Sequence, residues 1–278
     1  MADSMATPDR YVLFGHPVSH SWSPFIHGLF ARDLGHAIDY QLLDVAPERF
    51  RSVALEFFAG GGRGANVTVP HKLAAAELAN GLTPRAQRAG AVNTLAIRGG
   101  SVLLGDNTDG AGLVVDLVNN LGAPLKGRKL LMLGAGGAAR GVLAPVLEEA
   151  PAVVMIANRT VARAEELARA FGDLGTVTAG GFEDAGESCW DVVINATSAG
   201  LGGQVLPLPD SIVRPDSVCY DMSYSRTDTP FQRWATARGV VRAHQGWGML
   251  VEQAAEAYLL WRGVRPDTAP VRGALGGL

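Results

Sequence analysis

The sequence predicts an α/β protein of two domains, of which the second is of the Rossmann type. A length of 278 residues is enough for two domains of ordinary size. Between residues 130 and 156, two apolar runs enclose a glycine-rich turn and a helix, a pattern typical of a parallel βαβ unit. Residues 11–105 mix short strands and helices but contain no such glycine loop, which indicates a separate α/β layer.

The predicted elements of the first half follow each other at short intervals. Pro24 suits the first position of a helix, and Ser23 before it suits the N-cap. Val92–Ile97 and Val102–Leu104 flank two glycines, which predicts a hairpin. The predicted order is a strand at 11–14, a helix at 24–34, a strand at 38–45, a helix at 47–59, a strand at 65–69, a helical stretch after 70 that breaks near 81–84, and the hairpin.

The predicted elements of the second half form the nucleotide unit and its continuation. Leu130–Leu133 is apolar at every position, which predicts a parallel strand buried on both faces. The other predicted elements are a helix from 108 or 109 to about 122, a helix to about 149, a strand at 153–156, strands at 191–195 and 217–221, a helix from 230 capped by Thr229, and a long helix at about 249–262.

The residues after the second strand of the βαβ unit indicate which cofactor binds. Gly134-Ala135-Gly136-Gly137-Ala138-Ala139 is a G-x-G-x-x-A loop, in which free amides at a helix N-terminus suit a pyrophosphate. An NAD-binding protein would place an acid after the second strand for the ribose 2′-hydroxyl, but the chain has Asn158-Arg159-Thr160-Val161-Ala162-Arg163 there. Guanidinium groups bind a 2′-phosphate that a carboxylate would repel, which predicts NADP rather than NAD. The alternative is that Thr160 caps a helix and both arginines lie on a solvated face.

The composition is that of an ordinary globular protein. Hydrophobic residues make up 47% of the chain, and the net charge of −3 gives no electrostatic reason to expect nucleic acid or an anionic membrane as partner. The first ten residues lack the apolar core of a signal peptide, and no apolar run approaches membrane-spanning length. Cys189, Cys219 and the six histidines show no metal-ligand spacing, so we expect no metal and two small buried cysteines. We expect a cytoplasmic location, where NADPH is available.

One lysine stands out against this composition. Three of the 24 basic residues are lysines, Lys72, Lys126 and Lys129, and the other 21 are arginines. Lys can release its proton at a workable pH whereas Arg cannot, so Lys72 is a candidate proton donor. The alternatives are a surface lysine without a role and His71 as the acid, since His is the usual proton donor near neutral pH.

Polar residues near the first helix and the third strand are candidates for a substrate site. Ser21 and Ser23 direct hydroxyls, together with free amides at a helix N-terminus, toward one point, which suits a carboxylate. Their alternative role is helix capping. Strand alternation sends Asn66 and Thr68 to one face.

Two further polar residues are candidates in the segment after the third strand. Asp109 either caps the helix that follows or pairs with Lys72 to hold and tune the ammonium group. Asn93 lies in a predicted strand and needs hydrogen-bond partners if it is buried, which a polyhydroxylated substrate could supply. We expect the substrate in a cleft between the two domains.

Nine segments, taken together and in this order, resemble those of shikimate dehydrogenases over residues 10–272. The segments are S-H-S-W-S-P, G-A-N-V-T-V-P-H-K, A-G-A-V-N-T, G-D-N-T-D-G, G-A-G-G-A-A-R, N-R-T-V-A-R, I-N-A-T-S-A-G, Y-D-M-S-Y and G-W-G-M-L-V-E-Q-A. The resemblance implies the reversible reduction of 3-dehydroshikimate to shikimate by NADPH, a step of aromatic amino-acid biosynthesis. It also implies a substrate-binding catalytic domain at 1–108, completed by the returning late helix at 248–278, and an NADP-binding Rossmann domain at 109–247.

The resemblance also implies a role for individual residues. Lys72 falls at the family's catalytic proton donor and Asp109 at its partner beside the substrate. Ser21 and Ser23 fall where the family binds the carboxylate. The other implied substrate contacts are Thr68, Asn93, Tyr224 and Gln253. The implied cofactor contacts are Gly134, Ala135, Gly136, Gly137, Ala138, Asn158, Arg159, Thr160, Arg163, Met222 and Gly246.

Two residues depart from the family's pattern. Pro84 stands where an acid is often found in the family. We therefore do not expect the contact to the cofactor that an acid could make there. Trp247 stands where a smaller residue is common, so we expect a tighter cleft on the nicotinamide side.

Two other functions compete with this interpretation. One is a dehydrogenase that also accepts or prefers quinate, whose extra hydroxyl would lie near Ser21 and Ser23; serine at both positions favours shikimate. The other is an NADP-sensing protein without chemistry, and Lys72 and Asp109 argue against it because a sensor has no use for a proton donor. The expected partners are a small-molecule substrate and at most a second copy of the chain, as monomer or homodimer.

Overall fold

The structure, a computed structural model, describes residues 7–197, 199 and 205–276. The chain forms two compact units, Met1–Thr108 with Val251–Gly277, and Asp109–Leu250. The second boundary falls after Leu250, beyond the 247 that the sequence predicts. Ser198 and Gly200 of the I-N-A-T-S-A-G segment lie outside the described residues.

Strands and helices alternate along most of the described chain. The strands are β1 Asp9–Gly15, β2 Ile38–Asp44, β3 Gly64–Val67, β4 Gly81–Leu82, β5 Thr94–Arg98, β6 Val102–Asp106, β7 Lys129–Leu133, β8 Val153–Ala157, β9 Val177–Gly180, β10 Val192–Asn195, β11 Val218–Asp221 and β12 Arg242–Gln245. The helices are α1 Ser23–Asp33, α2 Phe50–Ala59, α3 Lys72–Leu78, α4 Pro84–Ala89, α5 Asp109–Val115, α6 Gly137–Glu148, α7 Val161–Phe171, α8 Pro230–Thr236, α9 Trp247–Arg262 and α10 Ala269–Gly276.

The first unit is built on a mixed six-stranded sheet in the order β2-β1-β3-β5-β6-β4. β1 pairs in parallel with β2 and β3, whereas β5 is antiparallel to both β3 and β6. The predicted hairpin is therefore confirmed as β5–β6, with Ile97 opposite Leu103. Two candidate substrate residues adjoin this sheet directly, Thr68 after β3 and Asn93 before β5.

The start of α1 differs from the sequence prediction. Ser23 is the first helical residue, and Trp22 occupies the N-cap without a side-chain capping bond. The Ser21 hydroxyl accepts the Ser23 amide instead, at 3.2 Å. A local turn of Ser21 thus satisfies the amide of the first helical residue, and the Ser23 side chain makes no capping bond.

The third strand also ends earlier than predicted, at Val67. The Thr68 amide still donates to the carbonyl of Phe14 at 2.8 Å, but the Thr68 side chain is half-buried and Val69 is exposed. The chain therefore leaves the sheet before Pro70 rather than at it.

The second unit confirms the predicted Rossmann-type fold. Its six strands are all parallel, in the order β12-β11-β10-β7-β8-β9. Leu130 and Met132 of β7 enter one apolar core, and Leu131 and Leu133 enter another on the opposite face. The strand order reverses between β7 and β10, the place where open α/β sheets bind ligands.

Three features of the described residues complete the fold. No helix among them is both long and apolar enough to cross a membrane. Both cysteines are free; Cys219 is buried as predicted, whereas Cys189 is only half-buried. Burial raises the pKa of the Cys219 thiol to about 12, as expected of a small apolar core residue.

Candidate active site and cofactor site

The turn between β1 and α1 holds the two candidate serines. The Ser21 hydroxyl donates to Ser23 Oγ at 3.1 Å, and Ser23 is buried while Ser21 is half-buried. Asp44, at the end of β2, accepts from the His16 ring and from the Val18 amide. Asp44 of the neighbouring strand therefore fixes the turn. The Ser21 side chain is more exposed than the Ser23 side chain.

His71 and Lys72 have different surroundings. The His71 side chain is 1% exposed, its Nε2 donates to the Val45 carbonyl at 2.7 Å, and its ring stacks on Phe50 at 4.6 Å. Burial lowers the pKa of His71, which keeps the ring neutral in this packing. Lys72 is the first residue of α3 and is half-buried. The geometry gives His71 a packing role and leaves Lys72 as the better candidate acid.

Asn93 is buried and bonded on both sides of its carboxamide. Its Oδ1 accepts from the Thr108 amide at 2.9 Å, and its Nδ2 donates to Thr108 Oγ1 at 2.9 Å. The Gln253 amide oxygen lies 3.4 Å from both Asn93 Nδ2 and Thr108 Oγ1. The carbonyl of Lys72 accepts the Val92 amide at 2.9 Å, so the start of α3 is tied to the residue before Asn93.

Three residues that the sequence analysis did not select extend this network. Tyr40 donates to Asn66 Oδ1 at 2.7 Å, and His27 Nε2 lies 3.2 Å from the same oxygen. Asn66 Nδ2 in turn donates to Thr94 Oγ1 at 3.2 Å. Asn66 was visible as a polar strand residue, but no local signal marks His27, Tyr40 or Thr94, because the Asn66 that each of them contacts lies 39, 26 and 28 residues away.

Asp109 lies at the start of α5 and is 7% exposed. Asp106 fixes the segment before Asp109. Its carboxylate accepts from Arg85 Nε at 2.7 Å, from Arg85 Nη2 at 2.6 Å and from Thr83 Oγ1 at 2.5 Å. Burial alone would raise the pKa of Asp106, but the Arg85 bonds lower it overall, so the carboxylate stays ionised. A charged anchor therefore holds the turn that leads to Asp109.

The candidate cofactor residues of the second unit follow the carboxyl ends of its strands. Gly134 comes directly after β7, Asn158 after β8, Met222 after β11 and Gly246 after β12. Because all strands are parallel, these ends meet at one edge of the sheet, where the Rossmann fold binds dinucleotides.

The glycine loop fits a pyrophosphate. Gly134 has a φ of +101°, which favours glycine, and a Cβ there would lie 3.0 Å from Thr197 Cγ2. A Cβ on Gly136 or Gly137, at the N-terminus of α6, would meet nothing within 4 Å. Ala135 lies between Gly134 and Gly136, Ala138 is the second residue of α6, and both pack against the apolar core of this unit. The loop therefore leaves open space at a helix N-terminus, as a bound phosphate requires.

The residues after β8 are arranged as NADP binding would need. Arg159, Thr160 and Arg163 are exposed, and among the described residues neither guanidinium forms an ion pair. Thr160 is the N-cap of α7, but its hydroxyl makes no capping bond. Asn158 Nδ2 donates to the Thr160 carbonyl at 2.9 Å and fixes the turn. The missing bond argues against a capping role of the Thr160 hydroxyl, whereas the exposure of both arginines fits a solvated face as well as a 2′-phosphate site, so the NADP role stays a prediction.

Met222 and Gly246 lie against each other. A Cβ on Gly246 would lie 2.4 Å from the Met222 carbonyl oxygen, so only glycine permits this approach. The Tyr224 and Trp247 rings are tilted at 43° with centroids 4.6 Å apart, and Trp247 Nε1 donates to the Ser225 carbonyl at 3.3 Å. Burial raises the pKa of Tyr224, so its hydroxyl stays protonated. Trp247 therefore fixes the candidate substrate residue Tyr224.

The part of the chain that the structure describes contains no candidate metal-binding site. No group of three or more His, Cys, Asp or Glu side chains there is arranged to hold an ion.

Three family models match the chain. They are the shikimate dehydrogenase substrate binding domain at residues 13–95, shikimate / quinate 5-dehydrogenase at 116–201 and the shikimate 5′-dehydrogenase C-terminal domain at 246–275.

Full-length relatives agree with these models. The shikimate dehydrogenase (NADP(+)) of Alkalilimnicola ehrlichii is 55% identical over 96% of this chain and 98% of its own. An Ael1 enzyme from Pseudomonas putida matches with a TM-score of 0.90 and 42% identity, over 96% of this chain and 98% of its own. Shikimate 5-dehydrogenase from Thermus thermophilus, solved in complex with NADP(H) and shikimate, matches with a TM-score of 0.85 and 36% identity over the same shares.

Proposed function

The chain belongs to the NADP-dependent shikimate dehydrogenase family, and we propose how its own residues carry out that family's reaction. It is an oxidoreductase that uses NADP and interconverts 3-dehydroshikimate and shikimate in the shikimate pathway. We propose that the first unit binds the substrate, that α9 and α10 complete it, and that the second unit binds NADP. The match of residues 13–95 to a substrate-binding domain supports the first assignment, and the open glycine loop supports the second.

Lys72 is the proposed proton donor. When bound, NADPH supplies the hydride that reaches the carbonyl carbon. Lys72 Nζ gives a proton to the carbonyl oxygen as negative charge develops there, so that the ketone becomes a secondary alcohol. Asp109 is the proposed partner that orients the ammonium group and a neighbouring ring hydroxyl. The observation that carries this choice is the locked His71 ring, whose Nε2 hydrogen is already bound to the Val45 carbonyl.

The proposed substrate contacts bind the two ends of a hydroxylated cyclic acid. Ser21 and Ser23 lie at the carboxylate end. Thr68, Asn93, Tyr224 and Gln253 are proposed to bind the ring and its hydroxyls. The Asn93–Thr108–Gln253 bonds support this assignment because they fix amide groups that can face a hydroxyl without moving.

The proposed NADP contacts divide by chemistry. The amides of the Gly134–Ala138 loop bind the pyrophosphate at the start of α6. Arg159 and Arg163 bind the 2′-phosphate, while Asn158 and Thr160 shape the turn that carries them. Met222 and Gly246 lie along the nicotinamide side. The backbones of Met222 and Gly246 lie close together without a side chain between them. This supports the assignment, because a flat nicotinamide ring could pack against such a surface.

One assay tests the function. Purified protein is mixed with shikimate and either NADP or NAD, and the absorbance of the reduced nucleotide is followed; quinate replaces shikimate in a matched series. We expect NADP-linked oxidation of shikimate, with a much lower kcat/KM for NAD and for quinate. Comparable kcat/KM for quinate would favour the broader quinate/shikimate dehydrogenase, and nucleotide binding without turnover would favour an NADP sensor.

We also propose a cytoplasmic location, because the reaction consumes NADPH, and a monomer or homodimer in solution. Cell fractionation and light scattering on the purified protein test these two proposals.

A further inference from the structure

Two buried polar residues end neighbouring strands of the second unit. Asn195 is the last residue of β10 and Asp221 the last of β11, and the parallel pairing of these strands places them opposite each other. Asn195 is 2% exposed and Asp221 is 0% exposed. Asn195 Nδ2 donates to Asp221 Oδ1 at 3.1 Å. Buried polar groups cost free energy unless they are hydrogen-bonded, so each bond of this pair matters to the structure around it.

The Asn195 carboxamide can point only one way. Its Oδ1 accepts from the Thr197 amide at 3.1 Å and from the Thr197 hydroxyl at 2.7 Å. Because an amide N–H can only donate, the oxygen faces Thr197 and the nitrogen faces Asp221. Position 195 therefore needs an acceptor on one side and a donor on the other, which Asn supplies and an ionised Asp does not.

Thr197 and Ala196 border the first residue of the glycine loop. A Cβ on Gly134 would lie 3.0 Å from Thr197 Cγ2 and 3.3 Å from the Ala196 carbonyl oxygen. The Ala196 amide donates to the Leu133 carbonyl at 2.9 Å, directly before the loop. The bonds from Thr197 to Asn195 thus fix the segment against which the glycine loop packs.

Asp221 fixes a second segment, the turn at 221–223 that carries Met222 (the Met222 turn). Its Oδ1 accepts from the Ser223 amide at 3.0 Å as well as from Asn195. The Met222 amide donates to the Asn195 carbonyl at 2.9 Å, and the Gly246 amide donates to the Ser223 carbonyl at 3.0 Å. One carboxylate oxygen therefore joins the turn on the proposed nicotinamide side to the residue that fixes the border of the glycine loop.

This pair bears on the reaction because hydride transfer depends on where the nicotinamide ring lies. The proposed phosphate contacts hold one part of NADP, and Met222 and Gly246 are proposed to lie along the nicotinamide. A shift of about 1 Å between the glycine loop and the Met222 turn would leave the phosphate contacts intact but misplace the ring, at a cost on the order of 10²-fold in rate.

We infer that Asn195 and Asp221 are positioning residues whose mutual hydrogen bond fixes the Met222 turn relative to the glycine loop, and with it the rate of hydride transfer. Both act through their neighbours, Asn195 through Thr197 and Asp221 through Ser223. This inference rests on the proposed function, because it concerns the placement of the nicotinamide in that reaction.

Asp221→Leu and Asp221→Asn test the inference by steady-state kinetics with shikimate and NADP. Leucine is of similar size but accepts neither bond, so kcat should fall roughly 10- to 100-fold, while the KM for NADP stays within about 3-fold because the phosphate contacts remain. Asparagine still offers one oxygen to both donors, and since burial raises the pKa of the Asp221 carboxyl group, loss of its charge should be tolerated. Asp221→Asn should therefore keep kcat within about 3-fold of the wild type.

A deuterium isotope effect distinguishes positioning from a merely structural role. The substrate is shikimate deuterated at the carbon that gives up the hydride. Slower hydride transfer should raise the isotope effect on kcat of Asp221→Leu above that of the wild type. A variant that only unfolds more readily would lose active protein and keep the wild-type isotope effect.

Asp191→Leu is the matched control. Asp191 stands directly before β10, at the opposite end of that strand from Asn195, and it accepts from the Lys129 amide at 2.8 Å and from Arg214. Loss of these bonds should lower the melting temperature and leave kcat and the isotope effect unchanged.

The outcomes separate this inference from the proposed function. A wild-type protein without NADP-linked shikimate oxidation overturns the function itself. An active wild type in which Asp221→Leu keeps the wild-type isotope effect, or in which Asp221→Asn is as slow as Asp221→Leu, overturns only the positioning role. If Asp221→Leu does not fold, Asn195→Ser decides, because it removes the donor to Asp221. It should lower kcat about 10-fold with a raised isotope effect, and wild-type values would overturn the inference.

Discussion

The two units build their sites in opposite ways. In the first unit, the candidate substrate residues Ser23 and Asn93 are buried, and hydrogen bonds of Thr94 and Asn66 join Asn93 to Tyr40. In the second unit, the candidate cofactor residues Arg159 and Arg163 are exposed, and the glycine loop faces open space. The substrate site is thus specified by long-range side-chain pairing, and the cofactor site by local backbone geometry at strand ends.

This difference predicts different consequences of mutation. Substitutions in the network of the first unit should alter stability and ligand binding together, because the same bonds serve both. Substitutions at the open edge of the second unit should alter cofactor binding with little effect on folding, since few contacts are lost there. Substitutions at four positions, Lys72, His27, Arg159 and Gly136, test the comparison in order of expected effect.

Lys72 is the expected exception in the first unit, since it acts on the reaction rather than on the network. Lys72→Ala should lower kcat by about 10²–10⁴-fold, the usual contribution of a positioned acid, while thermal unfolding stays close to that of the wild type. Lys72→Arg should also be poor, because a guanidinium does not release its proton. Steady-state kinetics with both variants provide the measurement.

His71→Ala is the matched control for Lys72. Because the His71 ring packs on Phe50, its loss should lower the melting temperature and leave kcat within about 10-fold of the wild type. A full-rate Lys72→Arg enzyme would show that charge rather than proton transfer is needed. A severe kcat loss in His71→Ala beside a mild one in Lys72→Ala would assign the acid to His71.

His27 should make the first unit sensitive to acid. Burial lowers its pKa from 6.5 to about 3, so between these values the unfolded chain binds a proton that the folded chain excludes. Stability from this group is present above pH 6.5 and is lost as the pH falls toward 3, by about 2–3 kcal/mol at pH 4.5.

The test compares urea unfolding of the wild type and His27→Gln at pH 7 and pH 4.5. Glutamine keeps a donor for Asn66 Oδ1 but does not titrate. The variant should therefore be less stable at pH 7 and lose about 2–3 kcal/mol less on acidification. Parallel losses in both proteins would mean that other groups cause the acid sensitivity.

Arg159 tests the second unit. Arg159→Ser should remove one charge-assisted bond to the 2′-phosphate, which costs about 1.5–3 kcal/mol and raises the KM for NADP roughly 10- to 100-fold. The KM for NAD should change far less, and the melting temperature should stay constant because the side chain is exposed. Equal losses with NAD and NADP would show that Arg159 is structural and would contradict its role in cofactor selection.

The same contrast explains what the sequence could predict. The strands around the glycine loop, the arginines after β8 and the β5–β6 hairpin follow from short local patterns, and the structure has them in place. The rarity of lysine in the composition made Lys72 a candidate acid, and the choice of Lys72 over His71 is a prediction that rests on the bond of His71 to the Val45 carbonyl.

The missed features have distant partners or weak local signals. Tyr40 and His27 meet Asn66 from 26 and 39 residues away, so no motif connects them. β9 and β12 are short strands of only 4 residues each, and their sequences, VTAG and RAHQ, have little apolar character. The start of α1 was predicted one residue off, because Ser23 is itself helical and its amide is bound by the Ser21 hydroxyl.

Gly136 gives the smallest and most local test of the comparison. Its φ of −90° and ψ of −172° are ordinary for alanine, and a Cβ there meets no protein atom within 4 Å. Because alanine restricts the unfolded chain but caps a helix less well than glycine, Gly136→Ala should change the melting temperature little. The added methyl group would occupy space that the pyrophosphate needs, which should weaken NADP binding by about 1 kcal/mol, on the order of 5-fold in KM.

Gly28→Ala, in the middle of α1, is the control for this test. A Cβ on Gly28 also meets nothing within 4 Å, but the residue lies in the first unit and outside the cofactor loop. It should stabilise the helix by about 0.5–1 kcal/mol and leave the KM for NADP unchanged. If Gly136→Ala behaved like Gly28→Ala in both measurements, the space at the start of α6 would not be where the pyrophosphate binds, and the contrast between a bonded substrate site and an open cofactor site would fail.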